Sequence, residues 1–335
     1  MREQNKHPKV SFGKTGVLLI NLGTPDSTSW WDIRKYLKEF LSDKRVIEVN
    51  PFIWKIILNL FILTFRPSKT AHAYKQIWMG NPGESPLRYY TRSQKEKLSQ
   101  RISNKDVIVD FAMRYGNPSI KSKISILQEQ GCENLIILPL YPQYAAATTA
   151  TVCDEVYRSL MSMRWQPSLQ IVPHYESNPL YIEALVSSIR NKILTINWKP
   201  DLILASYHGI PKSYFKKGDP YQCYCQKTTR LIKEKFSEIP IETTFQSRFG
   251  PQEWLTPYTD KTLEILPSKG KKSILVICPG FSSDCVETLE EIKIQGKESF
   301  TKNGGINFDL IPCLNDSESH INLLENLVKS RSTII

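Results

Sequence analysis

Two short stretches of the chain concentrate titratable side chains beside turn residues. The first is Ser206-Tyr207-His208-Gly209-Ile210-Pro211, which runs on through Lys216-Lys217-Gly218-Asp219-Pro220-Tyr221-Gln222. The second runs from Pro279 through Phe281, Ser282, Ser283, Asp284, Cys285 and Glu287 to Glu290-Glu291. In the second, Ser283 or Asp284 is placed to cap a helix, and Glu287 and Glu291 share one face of it four residues apart. Carboxylates stacked in that way repel each other unless a cation lies between them. An imidazole arriving from a neighbouring strand end would complete a nitrogen and oxygen donor set suited to a divalent transition metal.

Other chemistries lack their usual motifs. No strand end carries GxGxxG, which argues against a nicotinamide or flavin site, and HExxH, GxSxG and paired CxxC are absent as well. Gly13-Lys14-Thr15 resembles the tail of a phosphate loop but precedes its strand instead of following it. Cys223 and Cys225 are one residue apart, a poor spacing for zinc. The 44 Lys and Arg against 33 Asp and Glu give a net charge of +11, which favours an anionic partner. Basic residues are spread along the chain rather than striped, so no nucleic-acid partner is expected.

Positioning such residues requires a frame, and the apolar runs supply one. Short β-branched runs at Gly16–Asn21, Val107–Ala112, Asn134–Leu140 and Leu169–Pro173 form one series. Leu202–Tyr207, Ile241–Gln246, Ser273–Cys278 and Asn307–Ile311 form a second. Continuous apolar strands separated by helix-length stretches predict parallel sheets of βαβ type, hence an α/β fold. The strand ends also repeat in kind. Gly23-Thr24-Pro25 answers Gly209-Ile210-Pro211, and Arg114-Tyr115-Gly116-Asn117-Pro118 answers Arg248-Phe249-Gly250-Pro251. Two similar four-stranded lobes follow, over 1–178 and 179–335, with the last helix free to pack back on the first lobe. With 335 residues and 41% hydrophobic content, the chain can bury a core in each.

The first lobe carries an insertion over about residues 26–100, and within it Phe52 to Phe65 is almost wholly apolar. Read as an α-helix, Ile53, Ile56, Ile57, Leu60 and Leu63 form one face, and Trp54, Leu58, Phe61 and Phe65 another. Two readings are open: burial between the lobes, or a lip that dips into a bilayer or grips a flat apolar ligand. In the second, Arg34, Lys35, Lys38, Arg66 and Lys69 would meet lipid phosphates. No run reaches the ~18 apolar residues of a spanning helix. Seven cysteines and a charged start, Met1 to Lys6, without a signal-peptide pattern make a reducing cytoplasm the expected compartment.

Taken in order, these motifs resemble the ferrochelatase family, whose members insert ferrous iron into a porphyrin. The resemblance runs from Asn21-Leu22-Gly23-Thr24-Pro25 to the final helix. It includes Arg114 to Pro118, Tyr141-Pro142-Gln143-Tyr144 with Thr148-Thr149, Ser206 to Pro211, Gly218 to Tyr221, Gln246 to Pro251 with Trp254, and Phe281 to Glu287. It implies two Rossmann-like, chelatase-like lobes around a porphyrin cleft. His208 and Glu287 would be the catalytic pair and the metal contacts, and Glu291 and Asp284 would serve a metal or proton pathway. Leu22, Arg114, Tyr115, Thr148 and Trp254 would bind or shape the porphyrin.

The implied reaction is ferrous insertion into protoporphyrin IX, giving protohaem at the end of haem biosynthesis. The alternatives are a coproporphyrin ferrochelatase, another divalent-metal tetrapyrrole chelatase, or a tetrapyrrole-binding protein without catalysis. Ferrous iron would be a substrate, and no tightly bound cofactor is expected. Several members hold an iron-sulfur cluster on C-terminal cysteines, but here only Cys313 follows Cys285, so such a cluster is not expected. Two further departures are Cys285, where many members have His, and Gln295, where some have an acid. The apolar insertion suits greasy, membrane-derived protoporphyrin and peripheral contact with an anionic membrane on the inner face of the cytoplasmic membrane.

Overall fold

The computed structural model describes residues 11–331. Met1 to Lys6, on which the reading of the chain's start rests, lies outside them. All eight expected strands form: β1 (Lys14–Thr24), β2 (Val107–Gly116), β3 (Cys132–Pro139), β4 (Ser168–Ile171), β5 (Leu202–His208), β6 (Ile241–Gln246), β7 (Ser273–Ile277) and β8 (Asn307–Leu310). They make two four-stranded sheets of the same order, β2-β1-β3-β4 and β6-β5-β7-β8. Every pairing is parallel. Strands such as β1 and β5 are buried along nearly their whole length, which is why their sequences are apolar runs rather than alternations.

Helices fill the crossovers. Between β1 and β2 lie α1 (Trp30–Leu41), α2 (Pro51–Ile57), α3 (Leu63–Ile77) and α4 (Pro86–Arg101), with a π-helical turn at Leu58–Ile62 joining α2 to α3. The rest of the first half adds α5 (Ile120–Glu129) and α6 (Thr151–Met161), with α7 (Pro179–Thr195) crossing to the second half. That half holds α8 (Lys212–Lys216), α9 (Tyr221–Lys235), α10 (Thr259–Ile265), α11 (Lys297–Lys302) and α12 (Glu318–Lys329). Starts are marked chemically. Ser29, Asn50, Ser85, Asn178 and Ser317 cap with their side chains, and Pro follows at the first turn of α2, α4 and α7.

One core spans both halves. Val17, Leu19 and Leu138 of the first sheet and Ile203, Tyr207 and Leu275 of the second bury against the same cluster, which also takes in α4, α7, α9 and α12. The outer face of each sheet has its own core. The last helix packs on α4 and α7, with Arg101 of α4 paired to Glu318 and Glu325.

The insertion builds a fourth core from Ile33, Tyr36, Leu58, Leu63 and Tyr74, against which Val286 and Leu289 of the second half also pack. Its outer side is not covered. Phe52 (74% exposed), Leu60 (63%) and Phe65 (73%), with Ile53, Ile56, Ile57 and Phe61, face outward, so burial between the lobes is not the fate of this segment. The expected faces also shift. Across the π-helical turn, residues five apart stack, so Leu58 (2% exposed) and Leu63 both point inward while Phe61 and Phe65 point out. No helix among the described residues is long and apolar enough to cross a membrane.

Candidate active site

Three strand ends of the second half converge. His208 closes β5 and lies in register with Gln246, the last residue of β6. Beyond β7 the chain passes through Pro279 to Cys285 into a ten-residue π-helix, Glu287–Gly296. Such wide-pitched segments recur at functional sites, and this one carries Glu287 and Glu291.

Gln246 ties the three together. Its amide donates to the Glu287 carbonyl at 2.8 Å, and its own carbonyl accepts from Ser206 Oγ at 2.7 Å. The next residue, Ser247, has φ of 64°, a left-handed conformation unusual outside glycine. That backbone turn aims two donors at Glu291: Ser247 N–H at 2.7 Å and Ser247 Oγ at 2.5 Å. Burial pushes the Glu291 carboxyl up from its ordinary value, while the Ser247 bonds and the nearby His208 pull against that rise. Ser247 was not singled out from sequence as a site residue. A serine after a strand carries no signal of positive φ.

The His208 ring nitrogen Nδ1 lies 2.6 Å from the Gly209 carbonyl. A carbonyl only accepts, so Nδ1 carries the proton in the neutral ring and Nε2 keeps a free lone pair. The turn is tight for a reason. A β-carbon on Gly209 would come within 3.0 Å of the Gln246 carbonyl and 3.2 Å of the Trp254 ring. Trp254 thus packs under the His208 turn, buried, with its indole N–H given to the Phe249 carbonyl at 3.0 Å.

Glu287 lines a narrow pocket together with Leu22, Thr24, Tyr36, Tyr74, Leu87 and Cys285. Leu22, expected from the sequence at the porphyrin, is part of this lining. Tyr36 and Tyr74 were missed because on α1 and α3 they read as ordinary core residues. Burial holds both phenols protonated far above their usual range. The Cys285 thiol is likewise pushed up by burial first and then by Glu287, so it is an S–H donor rather than a thiolate.

The remaining expected residues sit elsewhere. Arg114 donates to Asp43 and Thr151, and the wholly buried Tyr115 donates its hydroxyl to Asp43 at 2.9 Å. That cluster fastens the insertion to β2 and α6 behind the cavity wall. Thr148 lies on a short π-helical turn after β3, its hydroxyl donating to Ala145 at 3.3 Å. Neither Ser283 nor Asp284 caps the π-helix, in contrast to the sequence expectation. Asp284 instead accepts from Cys313 N–H, Thr288 Oγ1 and Asn315 Nδ2, so both its oxygens are already engaged by protein. Among the described residues, no group of three or more His, Cys, Asp or Glu is arranged to hold a metal ion.

Two parallel sheets of equal order, with carboxylates and an imidazole at the strand ends between them, define the chelatase fold class. SirB from Bacillus subtilis, solved with Fe3+, superposes with a TM-score of 0.57 at 11% identity, covering 96% of each chain. At that identity the likeness speaks for the fold alone. The ferrochelatase family profile matches residues 14–332. Ferrochelatases of Agrobacterium fabrum (55% identical over 326 residues, covering 96% of this chain and 95% of the relative) and Rhizobium meliloti (54% over 332 residues, 98% of each) agree. The chain belongs to the ferrochelatase family and is an enzyme of the metal-chelatase kind.

Proposed function

We propose that the protein inserts ferrous iron into protoporphyrin IX, giving protohaem. The observation that carries this reading is a cavity whose walls are mainly apolar or aromatic and whose one carboxylate is Glu287. A macrocycle binds by its periphery, which apolar walls serve. Its two inner N–H protons must leave from a small central region, which needs acceptors. Glu287 and the free Nε2 of His208 are those acceptors and also the ligands that hand iron on. Two side chains contact an ion without caging it, which suits a substrate that must depart.

Glu291, one step along the π-helix, with its pKa raised and His208 nearby, receives protons or guides iron inward. Leu22 contacts the ring. Trp254 supports the His208 turn, Arg114 and Tyr115 hold the wall through Asp43, and Thr148, on the turn after β3, is assigned a part in ring binding from the first half. Asp284 acts from behind the site rather than as a stop on the pathway, since its oxygens are taken. Strain placed on the ring by these walls would expose nitrogen lone pairs to the metal. No iron-sulfur cluster is part of this reading. Cys278, Cys285 and Cys313 are buried thiols with pKa values pushed well up, a poor setting for thiolate ligands.

The outward apolar face of Phe52 to Phe65 supports peripheral contact with an anionic membrane on the cytoplasmic side, from which a greasy porphyrin is drawn. Exposed Lys35, Lys38 and Lys69 remain available for headgroups, whereas Arg34 and Arg66 lie over the rings of Trp30 and Phe249. The test is to mix the purified protein anaerobically with ferrous ion and either protoporphyrin IX or coproporphyrin and follow the visible spectrum. Haem should form faster from protoporphyrin IX. Faster turnover of the more carboxylated porphyrin, or none of either, would overturn the assignment.

A further inference from the structure

Behind the active site lies a buried polar hub that the reaction as described does not use. Asn315, in the turn between β8 and α12, has φ of 48°, a left-handed conformation that Asn tolerates better than most residues. Its side chain forms a reciprocal pair with Asp284: Asp284 N–H donates to Asn315 Oδ1 at 2.8 Å, and Asn315 Nδ2 donates to Asp284 Oδ2 at 2.7 Å. Its backbone N–H donates to the Ser282 carbonyl at 3.0 Å. Its carbonyl accepts from His320 at 2.6 Å and from Gln94 Nε2 at 2.8 Å.

Gln94 comes from α4, on the other side of the central core, and the same amide nitrogen also reaches Ser283 Oγ at 3.0 Å. Asn21, at the end of β1, adds a bond from its amide to Thr91 Oγ1 at 3.0 Å and a longer one to Ser282 Oγ at 3.4 Å. The π-helix has no side-chain cap of its own. Its first turn is fixed instead by Asp284, which accepts from Thr288 on one side of Glu287 and is held by Asn315 on the other.

We propose that Asn315 and Gln94 are positioning residues for metal insertion. They lock Asp284, and through it the turn that presents Glu287, to the first half of the molecule. The inference rests on Glu287 being the reacting carboxylate. A buried amide paired with a buried carboxylate is costly to mismatch, because either partner left alone has no water to turn to. Small displacements of a reacting group cost rate far more than affinity.

The experiment compares kcat for ferrous insertion and porphyrin affinity by fluorescence quenching in Asn315→Asp, Asn315→Asp with Asp284→Asn, Gln94→Ala, and Glu287→Gln. Asn315→Asp sets two carboxylates against each other and should lower kcat by ~10- to 100-fold with porphyrin Kd nearly unchanged. The double exchange reverses donor and acceptor only in the side-chain bond between 315 and 284 and keeps the bonds given by the 284 and 313 backbone N–H groups and by Thr288, and should recover most of that loss. Gln94→Ala leaves the pair intact but unties α4, and should lower kcat by roughly fivefold. Asn315→Asp with near-normal kcat, or a double exchange no better than Asn315→Asp, would overturn the proposal. The second outcome would mean that the charge at 284 matters and the clasp does not. If Glu287→Gln itself turns over normally, the reading of the site fails, whatever the Asn315 variants do. Should Asn315→Asp not fold, the double exchange and Gln94→Ala still decide the matter.

Discussion

At the scale of single residues, the site depends on groups held by their neighbours more than on the groups themselves. Glu291 receives two bonds from one serine whose backbone is twisted to deliver them. Ser247→Gly keeps the twist and the N–H bond and removes only the hydroxyl. It should raise the apparent KM for ferrous ion roughly fivefold, the ~1 kcal/mol worth of one ordinary hydrogen bond, with kcat little changed. Glu291→Gln should shift the same KM further, by ~10-fold, and again spare porphyrin binding. Steady-state insertion with varied iron separates the two constants; a loss confined to kcat would place Glu291 in the chemical step instead.

Elements show where reasoning from sequence succeeds and where it stops. All eight strands were legible as short β-branched or apolar runs between turn residues; β1 and β5 are buried along nearly their whole length, whereas the edge strands β4 and β8 are half-exposed and stood out less by their apolar content than by their spacing. The two-lobed repeat was inferred from turn residues at matching strand ends, whereas the shared strand order came only from the structure. Three π-helical segments, at Leu58–Ile62, Ala146–Ala150 and Glu287–Gly296, were not legible, because periodicity was judged at 3.6 residues per turn. That assumption put Leu58 and Phe61 on one face of the insertion, and reading the second site's helix by the capping preference of its first residues gave Ser283 or Asp284 a cap that neither makes. His208 and Glu287 were assigned from motifs, whereas Ser247 and Asn315 depend on positive φ, which their residue types do not announce. The lip makes the correction testable. Changing Phe52, Leu60 and Phe65 to Ser should cut sedimentation with anionic liposomes and leave the melting temperature near wild type. Leu58→Ser should cost about 2–5 kcal/mol of stability, since it opens the insertion's core. Retained liposome binding in the triple variant would exclude the lip as the membrane contact.

For the whole molecule, the last helix and α4 join the halves through one shared core, and that joint is sensitive to acid. Burial holds the His320 imidazole down at about 4, from 6.5, while its ring donates to the Asn315 carbonyl. Between those two values the unfolded chain binds a proton that the folded chain refuses. Stability is therefore whole above pH 6.5 and declines as pH falls toward 4, by about 3 kcal/mol from this group alone. Thermal melts across that window should show His320→Gln losing less stability on acidification than the unaltered protein. Parallel curves would show that another group carries the acid sensitivity.

The central claim is that His208 and Glu287 do chemistry at a ring that other residues bind. Its most direct test is anaerobic ferrous insertion into protoporphyrin IX, run beside a porphyrin fluorescence titration, for His208→Ala and Glu287→Gln. Both variants should bind porphyrin with near-normal affinity and lose turnover by ~100-fold or more, the pattern of interactions made on the way to the transition state. Near-normal turnover in either variant would remove that residue from the mechanism, and near-normal turnover in both would contradict the assignment of the site.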